Sequence, residues 1–438
     1  MRAASPPLPI VIRTRLLRAV WLLAFAGLLA SRAAAQGPDS DEAALALADR
    51  TPSQPSVPRT CLGLAEVAVS DTTWSDGAAS SGGGRTSLEM RCDGAFADGW
   101  RAVFSDRLDE LWGGGASAQT INTLKEAYLS WRASPSQLFD VGRINVREGV
   151  ALAYNPTDYF RADAIRNVIS LDPDSLRDER LGTVMARLQT LWSSGSLTAI
   201  YAPRFDARPS DSSFSPDFGA TNGESRWVLI LSERLADPWQ PQWSLTGTDG
   251  GRSLQGGLDL TYLLNRSTVA YLEWAGGRSA SNVTLSGSAP AATPDDAFRS
   301  RVATGMTYTT ASKLSVSLEY EYDGAAPDGQ PWAALRSGPL APYVRYRDYA
   351  AAQQELTTRQ NVFGYAQWQD AAIPRLDLTL FLRLDPYDHS RLPWAEARYH
   401  WERLSIAIQW QGHTGAATSD LAPWPVHQSW LALIDYYL

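Results

Sequence analysis

The sequence predicts an all-β protein, a transmembrane antiparallel up-and-down β-barrel of about 18 strands, with about 16 as the alternative. Three observations predict this fold. Many segments alternate apolar and polar side chains with the period of two that is typical of a strand. The connections between these segments alternate between short and long along the chain. No segment beyond residue 35 comes near the run of about 18 apolar residues that a membrane-spanning helix needs.

The chain begins with the pattern of a secreted protein. Basic residues from Arg13 to Arg18 precede an apolar run over residues 19–30, which is too short to span a bilayer. The small residues at 33–35 fit the cleavage rule, and no cysteine lies near that site to carry a lipid. We therefore expect residues 1–35 to be a cleaved signal peptide rather than an uncleaved anchor. Residues 36–59 are expected to form a flexible periplasmic segment ahead of a barrel at 60–438.

The composition excludes one class of partner and favours a membrane-embedded barrel. The formal net charge is −8, and loss of residues 1–35, with five arginines and no acid, makes the chain more negative still. A nucleic-acid partner is therefore not expected. The 17 Trp and 17 Tyr suit the aromatic girdles that such barrels carry at both membrane interfaces. The two cysteines of an exported chain, Cys61 and Cys92, predict one disulfide.

The alternation is clearest in the second half of the chain. In the segment 374–385, PRLDLTLFLRLD, the even positions from 376 to 384 are all leucine and the odd positions are largely charged or polar. The segment 313–322 alternates in the same way, with Leu, Val or Tyr on one face and Lys, Ser or Glu on the other. One face of each strand is therefore suited to lipid and the other to a water-filled lumen.

The connections predict the topology. Short connections are expected at 133–137, 192–196, 265–267, 309–313, 371–374 and 402–403, and long ones at 71–85, 147–182, 206–226, 275–297, 323–359 and 411–428. Short turns on one side and long loops on the other are typical of bacterial outer-membrane barrels. Cys61 then begins the first strand and Cys92 ends the second, on the periplasmic rim. The alternative, a secreted β-sandwich, gives no reason for loops to be sorted by length.

Two segments carry a resemblance to a known family. The last strand, SWLALIDYYL at 429–438, alternates apolar and polar residues and has Tyr436 and Tyr437 near its end, although Leu438 replaces the usual terminal aromatic residue. The segment from Gly142 to Phe160 contains a GR pair followed by NPTDYF. In these features the chain resembles the porin-like superfamily of outer-membrane β-barrels, in particular its alginate-export-like and uncharacterised porin-like members. The resemblance implies a channel or exporter whose last strand guides assembly into the membrane.

The loop at 147–182 is the candidate for a channel constriction. It carries charges of both signs and an apolar part at 150–154, which suits packing inside the barrel better than exposure to water. Opposed Arg and Asp across a narrow path would create a transverse field that selects solutes. The candidate constriction residues are Arg143, Arg147, Asp158, Arg161, Asp163 and Arg166. The alternative is an extracellular cap with ordinary surface ion pairs.

A second group of charges is expected to line the lumen because of its position in the alternation. These residues are Glu126, Arg132, Glu319, Glu321, Arg375, Asp377, Arg383, Glu396, Arg398 and His400. The mixture of signs favours a general polar lining over strong anion or cation selectivity. In the alternative interpretation the charges pair with one another and fill the lumen.

Catalysis, metals and cofactors are not expected. The histidines are scattered along the sequence, and the acids at 172–179 lack the loop glycine of a calcium-binding EF-hand. His400 and Ser405 lie on successive predicted strands, yet no activating triad can be assembled from their spacing. The chain is therefore not expected to be an enzyme. A rim enzyme of the phospholipase or protease type is kept as an alternative.

The function expected from the sequence is a porin-like channel that passes small polar or amphipathic solutes across the outer membrane of a Gram-negative-type bacterium. Its expected partners are outer-membrane lipids, the assembly machinery that reads the C-terminal strand, and the solute. The alternative within transport is export of an anionic polysaccharide. The sequence leaves the oligomeric state open.

Overall fold

The computed structural model describes residues 60–75, 80–113, 117–236, 239–249, 254–289, 295–422 and 426–438. The signal peptide and the periplasmic segment predicted for residues 1–59 lie outside this part of the chain. Within it, long segments with alternating side chains pair with their neighbours in sequence. The described chain is therefore dominated by β-structure.

The strands follow the predicted segments. They are β1 (Thr60–Trp74), β2 (Ser81–Ala97), β3 (Trp100–Gly113), β4 (Gln119–Ser134), β5 (Gln137–Ile144), β6 (Thr183–Trp192), β7 (Gly195–Ala202), β8 (Arg226–Glu233), β9 (Gln242–Thr248), β10 (Gln255–Asn265), β11 (Thr268–Ser279), β12 (Ala297–Thr309), β13 (Leu314–Asp323), β14 (Gln360–Trp368), β15 (Leu376–Leu384), β16 (Arg391–His400), β17 (Leu404–Gly412) and β18 (Val426–Tyr437).

The sheet closes on itself. Each strand pairs antiparallel with the next in sequence, and β18 pairs with β1, where Val67 lies opposite Ile434. The predicted all-β barrel is confirmed, with 18 strands rather than the alternative of 16. A closed barrel leaves no sheet edge unpaired at the seam. Cys61 lies directly opposite Cys92 in the β1–β2 register, and the two form the predicted disulfide.

The two faces of the wall differ as the alternation predicts. On β15, Leu380 is 52% exposed on the outer face, whereas the neighbouring Thr379 is 7% exposed on the inner face. Outward-facing rings cluster near one rim, where Trp131 stacks between Trp100 and Phe139 with centroid distances of 5.7 and 5.5 Å. An apolar outer surface with aromatic residues near its ends suits a membrane. No helix in the part of the chain that the structure describes is long and apolar enough to cross a membrane.

All the long loops lie at one end of the barrel, here called the long-loop rim, and only short connections lie at the other end, the short-turn rim. The long-loop rim also carries short connections, among them 75–80, where a long loop over 71–85 was predicted, because β1 and β2 pair further than expected. The long loops contain the helices α1 (Pro173–Asp178), α2 (Phe218–Thr221), α3 (Asn282–Leu285), α4 (Gly329–Ser337) and α5 (Leu340–Gln353). Helix α1 begins where the Asp172 carboxylate accepts hydrogen bonds from the backbone N–H groups of Asp174 and Ser175. Helices α4 and α5 pack through Trp332, Tyr343 and Tyr346.

Strand boundaries differ from the prediction where the backbone must change direction. The predicted seventh strand extended to residue 205, but β7 ends at Ala202 because Pro203 cannot donate a ladder hydrogen bond. The predicted fifth strand reached residue 146, but β5 ends at Ile144, where the chain turns into the barrel. The glycine-rich start of β2 was not predicted, because its pairing with β1 and β3 overrides a weak propensity.

Candidate functional site

The chain crosses the barrel interior between β5 and β6. Residues 145–182, here called the infolded loop, bond to side chains on the inward rows of β10, β11 and β13. The apolar part of this loop also packs against inward aromatic rings, where Leu152 and Ala153 contact the cluster of Phe363, Phe381 and Trp394. The infolded loop therefore lies inside the barrel.

Two buried carboxylates hold the backbone of this loop. Glu273 of β11 accepts hydrogen bonds from the N–H groups of Val150 and Ala151, both at 3.0 Å. Glu319 of β13 accepts from the next three N–H groups, at 2.7 to 3.2 Å. A concave run of N–H groups is a good anion site. Gly149, at φ +96°, precedes the run, and a Cβ there would lie 2.6 Å from a Glu273 oxygen. Only glycine allows so close an approach.

A threonine extends this fastening to β10. The backbone N–H and the hydroxyl of Thr157 donate to Glu273 at 2.7 and 2.8 Å, and the hydroxyl lies 3.0 Å from an Asp259 oxygen. Glu273 is fully buried, and Asp259 is 2% exposed. A buried carboxylate needs several hydrogen-bond donors. Three backbone N–H groups and one hydroxyl of the infolded loop donate to Glu273.

On the opposite side the loop rests on apolar side chains. Val146 and Phe160 belong to a buried cluster with residues of β5 to β8. The wall residues in this cluster are Ile144, Met185, Ile200, Ala202, Val228 and Ile230. Inward rows of a channel barrel are ordinarily polar. This patch is therefore a local core that packs the loop rather than a lining for water.

The strands β1 to β4 carry a buried ionic network. The Arg107 guanidinium, 2% exposed at its side chain, lies 3.0 Å from Glu66 and 2.9 Å from Asp109. Glu179 of the infolded loop joins the network through Lys125, at 3.1 Å. The members are Glu66, Arg85, Glu89, Arg107, Asp109, Lys125 and Glu179. Buried charges persist only when they are paired, and here three cations are shared among four carboxylates, so that each charge has a partner although one negative charge is in excess.

The infolded loop also joins the helices of the long-loop rim. Arg161 forms an ion pair with Glu355, just beyond α5, at 2.7 Å, and the Tyr154 hydroxyl donates to the same carboxylate at 2.6 Å. Burial alone would raise the pKa of Glu355, but the Arg161 and Arg301 guanidiniums outweigh burial and hold that pKa below its ordinary value. The Asp163 N–H donates to the Ala352 carbonyl at 2.7 Å.

One predicted constriction residue does not face the lumen. Arg143 lies opposite Ala127 and Val184 in the ladder, whereas its neighbour Ile144 faces the interior. Because successive strand residues point to opposite faces, Arg143 lies on the outward row. Its guanidinium is covered by the ring of Phe218, 5.2 Å away. The prediction that Arg143 belongs to the constriction is corrected on this ground.

The other predicted constriction residues are largely engaged. Asp158 pairs with Arg180 at 2.8 Å, and both side chains are 1% exposed. Arg161 pairs with Glu355, Asp163 accepts from Gln353, and Arg166 donates to the carbonyls of Ser212 and Ser215. Arg147 pairs with Asp178 yet keeps 43% of its side chain exposed, against 55% for Asp178. Of these residues, this exposed pair is best placed to meet a solute.

The predicted lumen-lining residues are mostly on inward rows and mostly paired. Contacts join Glu126 to Arg91, Glu321 to Arg383, His400 to Asp377, and Arg398 to both Glu396 and Asp435, while Glu319 binds the infolded loop. Arg132 lies in β4 near the short-turn rim, opposite Leu138. Arg375 departs from the prediction because it lies in the turn before β15, at φ +69°.

An open space remains on the long-loop side. A cavity of about 290 Å³ lies between residues 168–171 of the infolded loop and the wall formed by β1, β2 and β16 to β18. Its lining includes the hydroxyl and amide side chains of Ser70, Thr72, Gln409, Gln411 and Ser429, together with Trp394. The lining also includes Arg85, the apolar loop residues Val168, Ile169 and Leu171, and the further tryptophans Trp410 and Trp430. It therefore offers both hydrogen bonds and apolar surface to a small polar molecule.

The residues that fasten the loop were not predicted. Glu273 and Asp259 were not among the candidate lining residues, although they occupy polar positions in the alternation. The partners of Glu273 are mainly backbone N–H groups, which leave no trace in the side-chain sequence. The signal that could have been used is a single acid between bulky apolar neighbours, as in Leu272-Glu273-Trp274.

The histidine and serine considered for a rim enzyme lie opposite each other in the β16–β17 ladder. The Ser405 hydroxyl donates to Asp435 at 2.9 Å and lies 3.1 Å from an Arg398 nitrogen. His400 lies 3.3 Å from Asp377. The serine is therefore held by an ion pair and not by the histidine, so these residues lack the contact that activates a nucleophile.

Comparisons with known proteins identify the fold. No protein-family model matches the chain, and no curated protein matches its sequence. Pseudomonas aeruginosa OccK5 (OpdH) is similar with a TM-score of 0.54 at 8% identity, over 87% of this chain and 98% of that one. P. aeruginosa OccK2 (OpdF), solved in complex with glucuronate, gives 0.53 at 10% identity over 87% and 98%. The P. aeruginosa outer membrane protein OprD gives 0.50 at 10% identity over 87% and 93%. The chain therefore shares the barrel fold of OprD and these two Occ proteins.

Proposed function

We propose that the protein is a channel of the bacterial outer membrane that passes small polar solutes through a lumen narrowed by the infolded loop. The observation that carries the proposal is the fastening of residues 150–154 to Glu273 and Glu319 inside a closed barrel with an apolar outer face. A loop held by five successive backbone hydrogen bonds narrows the lumen in a fixed shape. Shape and lining then decide which solutes pass.

The lining favours small hydroxylated solutes. The cavity beside Trp394 presents hydroxyl and amide groups, while the buried charges of β1 to β4 are already paired. The structural relative OccK2 holds glucuronate in its crystal structure, which supports a solute of similar size and polarity here. The exposed Arg147–Asp178 pair places one charge of each sign at the narrowing, and this supports passage of solutes that carry a charge of either sign.

The orientation follows from the rims. The short-turn rim faces the periplasm and the long-loop rim faces the exterior, as in outer-membrane barrels generally. This orientation is consistent with the predicted signal peptide, with lipid around the apolar face, and with assembly guided by the C-terminal strand β18. The lumen supports a porin-like channel better than an alginate-export-like exporter, because the infolded loop fills space that a polymer chain requires.

The test is conductance and solute flux by the full chain. In planar bilayers we expect steady ohmic current, and in liposomes we expect swelling with monosaccharides that falls sharply for oligosaccharides. Liposomes without protein are the control, and a gel-mobility shift on heating establishes that the barrel is folded. A folded barrel that gives neither current nor swelling would refute the channel. Swelling that does not depend on solute size would refute the narrowing.

A further inference from the structure

The barrel wall is interrupted between β4 and β6. The ladder between β4 and β3 extends to Gln119, whereas the ladder between β4 and β5 covers only residues 127–134. The edge at 119–126 makes two backbone hydrogen bonds with residues outside the strands. Its Asn122 N–H donates to the Ser213 carbonyl at 2.8 Å, and its Lys125 carbonyl accepts from the Gly182 N–H at 3.0 Å. Residues 206–222, here called the covering segment, and Gly182 therefore stand in place of a strand.

This interruption lies at membrane depth. Trp100 and Trp112 mark the two ends of the outward face of β3. Twelve residues at about 3.4 Å each, tilted by about 40°, span about 30 Å, which is the thickness of the hydrocarbon layer. The edge at 119–126 pairs with the half of β3 nearest the long-loop rim. On this half Asp106 and Asn122, both on outward rows, are hydrogen-bonded at 3.0 Å. Polar groups at this depth are costly on a lipid-facing wall.

A buried cation with unfilled donors lies at the interruption. Arg143 is 2% exposed, and its Nη1 donates weakly to the Leu124 carbonyl on the same unpaired edge, at 3.4 Å. Its Nε and Nη2 have no hydrogen-bond partner among the described residues. Asp217 of the covering segment attracts Arg143, but no described carboxylate forms an ion pair with it. An anionic group in direct contact would satisfy the two free donors.

The lumen side of the interruption is apolar. Ile144 follows Arg143 in β5. Gly182 packs closely against its backbone, since a Cβ added at Gly182 would lie 2.7 Å from the Ile144 carbonyl carbon. Ile144 belongs to the cluster that includes Met185 and Phe160. This cluster is a packed core in which no member is more than 5% exposed, so an apolar chain enters it only by displacing side chains such as Phe160. The site combines one unfilled cation with this adjoining apolar core, which matches a molecule with an anionic head and an apolar chain.

We propose that the interruption is a lateral portal, through which an amphipathic anion passes between the lumen and the half of the membrane nearest the long-loop rim. Arg143 receives the anionic head, and the apolar cluster receives the chain. This route differs from axial passage of polar solutes and goes beyond the function proposed above.

The covering segment can open by breaking few contacts. Its middle is held by the Asn122–Ser213 bond and by Arg166, which donates to the Ser215 carbonyl at 2.8 Å and the Ser212 carbonyl at 3.1 Å. Its end is held more firmly, because the Asn222 amide bonds both to the N–H and to the carbonyl of Val184, at 3.0 and 2.8 Å. Phe214, in the middle of the segment, is 67% exposed. The middle thus opens while the end stays in place, with the Phe218 ring still over Arg143. The anionic head must therefore reach Arg143 from the side of the Leu124 carbonyl, next to the Asn122–Ser213 bond.

The test locks the portal with a disulfide. Asn122→Cys and Ser213→Cys in the full chain join the covering segment to β4, and decyl sulfate and methyl sulfate serve as probes with the same head group. In planar bilayers we expect decyl sulfate to block the parent current. In the oxidised lock the block should weaken at least about tenfold, which corresponds to about 1.4 kcal/mol. The lock should change neither the effect of methyl sulfate on the current nor the current measured without any probe.

The matched control is the pair Arg391→Cys and Thr414→Cys, which joins a strand to a loop elsewhere on the long-loop rim through two existing backbone hydrogen bonds. It should leave the decyl sulfate block unchanged, and reductant should restore the block only in the lock. Arg143→Gln should weaken the decyl sulfate block without any crosslink. This variant tests the proposal independently if the disulfide variant fails to fold. A decyl sulfate block that survives both the lock and Arg143→Gln would overturn the portal.

Discussion

The infolded loop rests on two walls of the lumen in different ways. On β11 and β13 the contacts run from wall carboxylates to loop backbone, through Glu273 and Glu319. On β6 to β8 they run from apolar wall side chains to loop side chains, above all Phe160. The first wall fixes the path of the chain whatever side chains the loop carries, whereas the second depends on the volume of one ring. The two walls should therefore respond differently to substitution.

Loss of the carboxylate wall should have the largest effect. In the double variant Glu273→Ala and Glu319→Ala, six loop N–H groups lose their acceptors, and each hydrogen bond to a charged group contributes about 1.5–3 kcal/mol. We expect the loop to leave the lumen, so single-channel conductance should rise several-fold. Glu396→Ala is the control, because the hydrogen-bond partners of Glu396 lie on strands. Unchanged conductance in a folded double variant would contradict the fastening.

The contact with α5 sharpens the comparison, because it is ionic but involves loop side chains. Glu355→Gln leaves Arg161 without its carboxylate, and removal of one partner of a buried pair costs about 3–5 kcal/mol. We expect more frequent conductance fluctuations. The pKa of Glu355 is held below its ordinary value. The stabilisation that the Arg161–Glu355 ion pair gives to the folded protein is therefore complete above the ordinary carboxyl range, and it is lost only as pH falls through the lowered pKa. This contact should therefore give the parent no pH dependence between about pH 5 and pH 8.

On the apolar wall, Phe160→Ala should cost about 3–5 kcal/mol in unfolding free energy and loosen the loop on that side only. Limited proteolysis should then cut the loop faster, while the conductance increase stays below that of the double carboxylate variant. Phe160→Leu, which keeps most of the volume, is the control. A conductance increase as large as that of the double variant would mean that the two walls do not differ.

The smallest effect concerns the outer face of the wall. Leu380→Arg places a charge among lipid chains and should cost about 2–4 kcal/mol, whereas Thr379→Arg points towards the lumen and should cost less. Equilibrium unfolding in lipid vesicles measures the difference. Equal costs for the two variants would contradict the assigned register of β15.

The fold could be predicted because the membrane imposes a simple rule on every strand. Leucine at every second position of β15 has one stable arrangement in a closed barrel, and the loop lengths assign the rims. The rule failed at Arg375, where a positive φ in a turn ends the alternation. It also failed in β2, whose glycines pair because both neighbouring strands are present.

The site could be predicted only in part. The apolar residues at 150–154 indicated a loop suited to the interior, but its fastening depends on backbone groups that the sequence does not display. Arg143 was predicted to belong to the constriction, although its row in β5 faces outward. The pairings of Asp158 with Arg180 and of Arg161 with Glu355 depend on the path of the chain in three dimensions. No spacing rule gives them.

The run of backbone donors at 150–154 separates two tasks that a constriction loop usually combines. Attachment to the wall uses main-chain atoms, which every amino acid except proline provides. In the proposed channel, filtering uses exposed side chains such as Val150, 38% exposed, and the Arg147–Asp178 pair. Mutation can therefore change the filter while the attachment is retained. One barrel could in this way acquire new solute preferences by single substitutions, and a designer could introduce a charge at Val150 without rebuilding the loop.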